Sequence, residues 1–249
     1  MLHDASHTAF SHVIDWVIGD PNKENYQDNI HAEFIQGSEI PHILARYGIN
    51  YKEISSLENF QLLEKKAPSL CVDRFDYAIR EIKDKNNQKT VNLCVSDLIS
   101  EGEQLAFKSE KCAEFFGIGY AKCQREHWAG KEAKTRYYIL SNILKKAMNT
   151  GVISIEDIKK TDMHVIRLLD ESGDEEILEG LRLLKEGFKI EETENEEGIE
   201  LRKKFRYVDP EVLVNGKIRR LSEISTSYRK FMGDEKRYSE SNLKIKIKK

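Results

Sequence analysis

The sequence lacks three features that would point to particular protein classes: a large charge of one sign, paired cysteines and a long apolar run. Its 40 Lys and Arg residues nearly balance its 43 Asp and Glu residues, for a net charge of -3. No overall basic field is therefore available to hold a nucleic acid by its phosphates. We expect no general nucleic-acid binding, and any such role would need a local basic patch.

The four cysteines contain no C-x-x-C pair and lie among apolar or helical neighbours: Cys71, Cys94, Cys112 and Cys123. This spacing disfavours a disulfide-dense framework and favours reduced thiols in a cytoplasmic protein. No apolar run approaches the roughly 18 residues that a membrane span needs. The start, MLHDASH, has neither the basic nor the apolar region of a signal peptide. We therefore expect a protein that neither spans a membrane nor is secreted.

The apolar pattern predicts a mainly helical chain. Apolar residues at helical spacing predict a helix over 7–18, which Gly19-Asp20-Pro21 would end, and another over 69–83. Further helices are predicted at 26–36, after Pro41, and at 60–67, 92–100, 109–126, 131–149 and 174–186. The last 60 residues mix short β-like runs with a basic end that could be a frayed strand or a disordered tail. The predicted fold class is therefore mainly α, with a helical bundle and a small α+β C-terminal region.

Histidines are concentrated near the N-terminus, where five of the seven fall within the first 42 residues. His3, His7 and His12 share a short stretch with Asp4 and Asp15. His3 and the adjacent Asp4 offer an imidazole nitrogen and a carboxylate oxygen, which suits one divalent ion such as Mn, Mg, Fe, Ni or Zn. A third ligand would have to come from elsewhere in the chain.

The predicted helix over 7–18 would separate two kinds of residue. His7 and Asp15 would project to one side, and Phe10 and Ile14 to another. The segment is thus expected to have one chemical face and one packed face.

Two motifs, in this order, resemble those of the HD superfamily of metal-dependent phosphohydrolases. The run LHDASHTAFSH is similar to the HD signature, and VDRFDYAIRE is similar to the second motif, an Asp on a later helix followed by a basic residue. Three other stretches resemble bacterial and archaeal members related to deoxynucleotide triphosphohydrolases: IHAEFIQGSEIPHILARYGI, SIEDIKKTDMHVIRLL and FRYVDP. The resemblance covers most of the chain.

This resemblance implies an HD-domain helical bundle and a division along the chain. Residues 1–85 would form the metal-site core without its first helices, residues 86–187 a helical extension, and residues 188–249 a small mixed β/α region with a basic tail. The activity implied is hydrolysis of a nucleotide, a (deoxy)nucleoside phosphate, by a cytoplasmic homo-oligomer.

The resemblance also implies a role for particular residues. The implied ligands of one divalent ion are His3, Asp4 and Asp73. The implied acid/base residues are His7, Asp15 and His31. The implied substrate contacts are His12, Arg74, Tyr77 and Glu81. His31 departs from the family pattern, because Ala32 stands where a Glu usually follows this histidine.

Some residues also have simpler interpretations. Taken alone, Asp73 would be a helix acid paired with Arg74 or Arg80. His42, His127 and His164 are expected to be surface or satisfied core histidines.

The basic segment 202–220 could bind a polyanion such as an effector nucleotide or RNA, although a solvated strand face is favoured.

A further departure concerns the metal site. The superfamily has another histidine ligand some tens of residues before the HD pair, and this sequence begins two residues before that pair. Either the chain is an N-terminally shortened version of a competent enzyme, or it is a natural short form that binds metal weakly or not at all. The alternative function is therefore a catalytically impaired HD protein that acts as a nucleotide-binding or oligomerisation module.

Overall fold

The structure is a computed structural model that describes residues 2–21, 23–84, 87–194, 196, 198–201, 205–240 and 243–248. Its described residues are mainly helical, with a smaller share of short strands, which confirms the predicted fold class. The chain divides into two compact units. The N-terminal unit comprises Met1–Ser56, Glu132–Ile199 and Lys244–Lys249, and the central unit comprises Leu57–Lys131 and Glu200–Leu243.

The elements follow one another along the chain. The helices are α1 (Val13–Val17), α2 (Tyr26–Gly37), α3 (Ile40–Ala45), α4 (Tyr51–Ser55), α5 (Val72–Ile82), α6 (Gln88–Asp97), α7 (Glu110–Cys123), α8 (Lys131–Asn149), α9 (Ile155–Ile158), α10 (Asp162–Asp170), α11 (Glu175–Glu186), α12 (Leu221–Ile224) and α13 (Thr226–Glu240). The strands are β1 (Leu98–Glu101), β2 (Gln104–Phe107), β3 (Lys189–Glu192), β4 (Ile199–Leu201), β5 (Glu211–Val214), β6 (Lys217–Arg220) and β7 (Leu243–Lys248). A 3-10 turn covers Leu57–Asn59, and a π-helical turn, Gln124–Trp128, extends α7.

The central unit packs α5 and α7 against a small sheet. Its strand order is β1-β2-β5-β6, in which β1 pairs antiparallel with β2, β2 parallel with β5, and β5 antiparallel with β6. The rings of Phe75, Phe107 and Phe116 meet in the core, with centroids 5.2 to 6.0 Å apart. Aromatic burial on this scale stabilises a small core strongly, so α5 is held firmly along its buried face.

The N-terminal unit is built around α8. The apolar face of this long helix packs with α1 and with α9 to α11, and Ile139, Ile143 and Leu144 are buried there. Strand β7 pairs antiparallel with β3, so that Ile190 lies opposite Ile247. The last described residues of the chain thus complete this unit.

The predicted helix over 7–18 is wrong in its first half. Residues 3–12 form turns instead, and α1 begins only at Val13. Phe10 and Ser11 have positive φ values of 59° and 50°, which a continuing right-handed helix cannot contain. His7 therefore precedes the helix, and the predicted helical face shared by His7 and Asp15 does not exist.

Two other predicted elements also differ, and one helix was missed. Residues 60–67 form no helix but turns and irregular backbone, and the carbonyls of Leu62 and Leu63 in this segment accept hydrogen bonds from the start of α5. The helix predicted at 92–100 ends at Asp97 and continues as strand β1. A long helix, α13, was not predicted in the C-terminal region. No helix among the described residues has the length and apolarity to cross a membrane.

Candidate metal centre and the residues around it

A short turn in the N-terminal unit brings two histidines onto one carboxylate. The backbone N–H of His7 donates to the carbonyl of Asp4 at 3.1 Å, which closes the turn. His3 Nε2 lies 3.0 Å from Asp4 Oδ2, and His7 Nε2 lies 3.2 Å from Asp4 Oδ1. Each carboxylate oxygen thus faces a different imidazole. The carboxylate itself stays 56% exposed, so the cluster lies at the surface of the molecule.

His12 extends this cluster through a ring contact. Its imidazole meets that of His7 edge to face, with centroids 5.2 Å apart and ring planes at 78°. His7 Nδ1 is buried and has no hydrogen-bond partner among the described residues. The His7 ring is therefore oriented by Asp4 on one nitrogen and by packing on the other side.

His31 reaches the same region from α2. Its Nδ1 lies 2.9 Å from Ser6 Oγ, across 25 residues of sequence. The side chain is almost fully buried, at 2% exposure, and its Nε2 has no partner among the described residues. Burial lowers the pKa of His31 below its ordinary value of 6.5, despite the opposing charge of Asp28. At neutral pH this residue is therefore an uncharged imidazole with one buried nitrogen unused.

Asp15 has a role in holding two helices together. Its carboxylate is buried, and its Oδ1 accepts a hydrogen bond from the backbone N–H of Tyr26, the first residue of α2, at 3.0 Å. Gly19 passes close by, since a Cβ there would lie 2.8 Å from the Cα of Asp15. Asp15 thus joins the start of α2 to α1. Its predicted catalytic role stays a prediction.

In the central unit, the predicted residues lie on one helix. Asp73 is in the first turn of α5, and Tyr77 and Glu81 follow at intervals of four residues, which places all three on one face. The opposite face carries the buried Phe75 and Ile79. A helix with one polar face and one packed face was predicted over 7–18. This arrangement is found on α5 instead.

The start of α5 is fixed by the segment before it. The N–H groups of Val72 and Asp73 donate to the carbonyls of Leu62 and Leu63 at 2.8 and 3.1 Å. These are among the first N–H groups of a helix, which have no partner within the helix itself. A helix was predicted at residues 60–67, but an irregular segment is found there. This segment sets the position of Asp73.

The arginines that could have paired with Asp73 have other partners. Arg80 contacts Asp76 at 2.7 Å, and Arg74 contacts Glu64 at 3.3 Å. Arg74 also donates to the carbonyls of Ser69 and Lys65, at 2.7 and 3.0 Å. Arg74 and Arg80 thus pair with other acids, and Arg74 holds its own loop.

Three other histidines behave as expected of residues outside the site. His42 and His127 are exposed, and His164 Nε2 lies 2.8 Å from Asp157 Oδ1.

Part of the predicted basic segment, residues 202–204, lies outside the described residues. The contact between Ser6 and His31 could not be predicted from sequence spacing, because the two residues are 25 positions apart in the chain.

No family model matches the chain. It is 34% identical over 251 aligned positions to the uncharacterized protein YdhJ of Bacillus subtilis, an alignment that spans 100% of this chain and 76% of that protein. It is also 26% identical over 229 positions to a protein of Cordyceps militaris named metal-dependent phosphohydrolase cns2, spanning 87% of this chain and 64% of that one. The chain thus spans less than two thirds of this second relative.

A crystal structure of a hypothetical protein from Aquifex aeolicus is similar to this chain in fold. The two align with a TM-score of 0.59 and 17% sequence identity, over 99% of this chain and 73% of the other. At that identity, the likeness supports the fold alone.

Proposed function

We propose that this chain, which belongs to the same protein family as YdhJ of Bacillus subtilis, is a metal-dependent phosphohydrolase of the HD type. The observation that carries the proposal is the Asp4 carboxylate held between His3 and His7, within a sequence that resembles the HD signature. The name of the Cordyceps militaris relative, metal-dependent phosphohydrolase, supports the same activity.

The residues present are suited to a divalent ion. Two ligand atoms of one ion, each bound at about 2.1 Å, lie roughly 3.0 to 3.4 Å apart. His3 Nε2 and Asp4 Oδ2 are 3.0 Å apart. Asp73 is proposed as the third ligand because it occupies the position of the second motif that the sequence resembles. The ion would supply positive charge to stabilise the charge that develops on the phosphoryl group.

The proton transfers are assigned to the two other imidazoles of the cluster. His31 is neutral, and we assign its hydrogen to Nδ1, where it donates to Ser6 Oγ. Its buried Nε2 is then an acceptor with no partner among the described residues, which suits a base that takes a proton from attacking water. Ser6 orients this ring through Nδ1. His7, whose Nε2 lies 3.2 Å from Asp4 Oδ1, is proposed to donate a proton to the leaving oxygen.

The substrate is proposed to be a nucleotide, a (deoxy)nucleoside phosphate. Tyr77 and Glu81 share the face of α5 that carries Asp73, and they offer a phenol and a carboxylate for phosphate and sugar hydroxyl groups. Arg74 is a weaker candidate for a phosphate contact than the sequence suggested, because four protein groups already use its guanidinium.

The first experiment is elemental analysis of the purified protein, with Asp73→Ala as the test and Asp76→Ala as its matched control. Asp76 lies on the same helix and forms an exposed pair with Arg80. We expect near-stoichiometric metal in the wild type and in Asp76→Ala, and little in Asp73→Ala. Equal metal content in both variants would remove Asp73 from the ligand set.

The second experiment is a panel of nucleoside mono-, di- and triphosphates, supplied with Mn²⁺ or Mg²⁺ and followed by chromatography of the products. Hydrolysis of at least one nucleotide by the metal-loaded wild type, and not by Asp4→Asn, is expected. Metal-loaded protein that hydrolyses none of them would overturn the proposed activity.

A second candidate function is an oligomer-forming or nucleotide-binding module without turnover. The observation in its favour is a group of exposed apolar side chains around α3: Ile43, Tyr47 and Ile49, of which Tyr47 is 76% exposed. Light scattering during size-exclusion chromatography would test it. A monomer at all concentrations, whose melting temperature does not respond to nucleotides, would contradict it.

A further inference from the structure

Two tyrosine hydroxyls meet in the central unit beside the polar face of α5. Tyr77 Oη on α5 lies 3.0 Å from Tyr120 Oη on α7. Tyr120 is only 3% exposed, whereas Tyr77 is half-buried. The indole of Trp128 meets both rings edge to face, with centroids 5.3 Å from Tyr77 and 5.2 Å from Tyr120. The pair is therefore shielded on the Tyr120 side.

The direction of this hydrogen bond follows from counting donors and acceptors. A buried hydroxyl that donates to nothing is costly, because it has lost its hydrogen bond to water. Within the described residues, the hydroxyl of Tyr120 has Tyr77 Oη as its hydrogen-bond partner. If Tyr77 donated, the hydrogen of Tyr120 would have no acceptor among the described residues. We therefore assign Tyr120 as the donor and Tyr77 as the acceptor.

This assignment leaves the hydrogen of Tyr77 for a second partner. Tyr77 lies one helical turn after Asp73, on the same face of α5. A phenol whose oxygen already accepts one hydrogen bond still has its own hydrogen to donate. It therefore favours a ligand group that accepts hydrogen bonds and does not donate them. A phosphate oxygen is such a group, whereas a sugar hydroxyl also needs an acceptor of its own.

We propose that Tyr120 is a positioning residue that directs the hydroxyl of Tyr77 to donate to a phosphate oxygen of the substrate. The inference rests on the proposed function for the identity of the reacting group. It concerns binding of phosphate, so it can be tested separately from hydrolysis.

The test is Tyr120→Phe, measured against Tyr77→Phe and the double variant. Removing one neutral hydrogen bond corresponds to roughly a 3- to 10-fold change. We expect Tyr120→Phe to raise KM by that factor and to leave kcat within about two-fold. Because Tyr120 would act only through Tyr77, the double variant should be no worse than Tyr77→Phe alone. Additive losses, or an unchanged KM in Tyr120→Phe, would overturn the inference.

Tyr228→Phe is the matched control. The hydroxyl of Tyr228 is also buried in the central unit, where it donates to the carbonyl of Val208 at 2.5 Å. This variant should lower the melting temperature without changing KM. If it raised KM as Tyr120→Phe does, the effect of Tyr120→Phe would be one of general stability, which would contradict the inference.

Calorimetric titration with inorganic phosphate, in the presence of Mn²⁺, separates the two proposals. Phosphate binding that Tyr120→Phe weakens roughly 3- to 10-fold would support the inference even if the protein hydrolysed nothing. A wild type that hydrolyses nucleotides, with phosphate affinity equal in both variants, would overturn the inference and leave the proposed function standing. Absence of phosphate binding by the wild type would overturn the inference as well.

Discussion

The two units hold their candidate site residues in different ways. In the N-terminal unit, His3, Asp4 and His7 lie in a short segment outside regular helix, and contacts between their side chains join them. In the central unit, Asp73 and Tyr77 lie on a regular helix whose first turn is fixed by backbone hydrogen bonds. A substitution in the first group should therefore change chemistry with little change in stability, whereas a substitution around the second should change stability as well.

The largest expected effect is that of Asp4→Asn, which removes the shared charge while keeping the side-chain shape. Loss of a ligand contact of this kind typically lowers metal affinity or activity by at least about 10- to 100-fold. Because the side chain is more than half exposed, the free energy of unfolding should change by less than about 0.5 kcal/mol. Elemental analysis, nucleotide hydrolysis and thermal melting would measure these changes.

The control for this variant is Asp20→Asn. Asp20 belongs to the same unit, and its carboxylate lies 3.8 Å from Lys23 Nζ. It should keep both metal and activity. A loss of melting temperature in Asp4→Asn much larger than in Asp20→Asn would show that the turn is structural, and the contrast between the units would fail.

Arg74→Ala should destabilise the central unit by about 2 to 3 kcal/mol, since hydrogen bonds to charged groups contribute more than neutral ones. The guanidinium is 12% exposed and holds the loop before α5. Arg80→Ala is the matched control, because Arg80 lies on the same helix in an exposed pair, and such pairs contribute at most about 1 kcal/mol. Urea unfolding of both variants would test the difference. Equal midpoints would mean that the loop does not depend on Arg74.

Gly19→Ala tests the tie between α1 and α2. A Cβ at position 19 would meet the Cα of Asp15 at 2.8 Å, so the backbone must shift, at a cost of about 1 to 3 kcal/mol. Gly37→Ala, in α2, meets nothing within 4 Å and should be neutral or stabilising by roughly 0.4 to 1 kcal/mol. The melting temperature should fall in Gly19→Ala and should stay unchanged or rise in Gly37→Ala. A destabilised Gly37→Ala would contradict this account of α2.

The smallest effect concerns acid stability. Hydrogen bonds from Ser154 and then from His164 hold the pKa of Asp157 well below its ordinary value of 3.8. A carboxyl whose pKa is lower in the folded state stabilises the fold above its unfolded pKa, and this contribution is lost as the pH falls below that value. Asp157→Asn should therefore melt below the wild type at pH 6, and the gap should narrow towards pH 3. Thermal melting across that range measures it, and a constant gap would contradict the assignment.

Regular helices were predicted from the sequence more accurately than irregular segments. Helix α8 has an uninterrupted apolar period, and its bounds were predicted as observed. The turns before α1 were not predicted, because Phe10 and Ser11 adopt positive φ without being glycine. Helix α13 was missed because its buried residues, Tyr228 and Met232, are few and four residues apart. The spacing of apolar residues therefore predicts helices that are packed along their whole length.

The candidate site shows the same division. His3, Asp4 and His7 were noticed because histidines and acids cluster near the N-terminus, whereas Asp73 and Tyr77 were assigned from the resemblance to the second HD motif. All of these roles stay predictions. Their supporting partners gave no signal: Ser6 meets His31 across 25 residues, and Tyr120 meets Tyr77 across 43. Such pairs depend on how separate elements pack against each other. The spacing of residues along one element carries no information about that packing.

The pairing of β3 with β7 affects the order in which the protein can fold during synthesis. Ile245 and Ile247 follow the central unit in the sequence, and they complete the unit that contains His3 and Asp4. The N-terminal unit can therefore close only after the whole of the central unit has been synthesised.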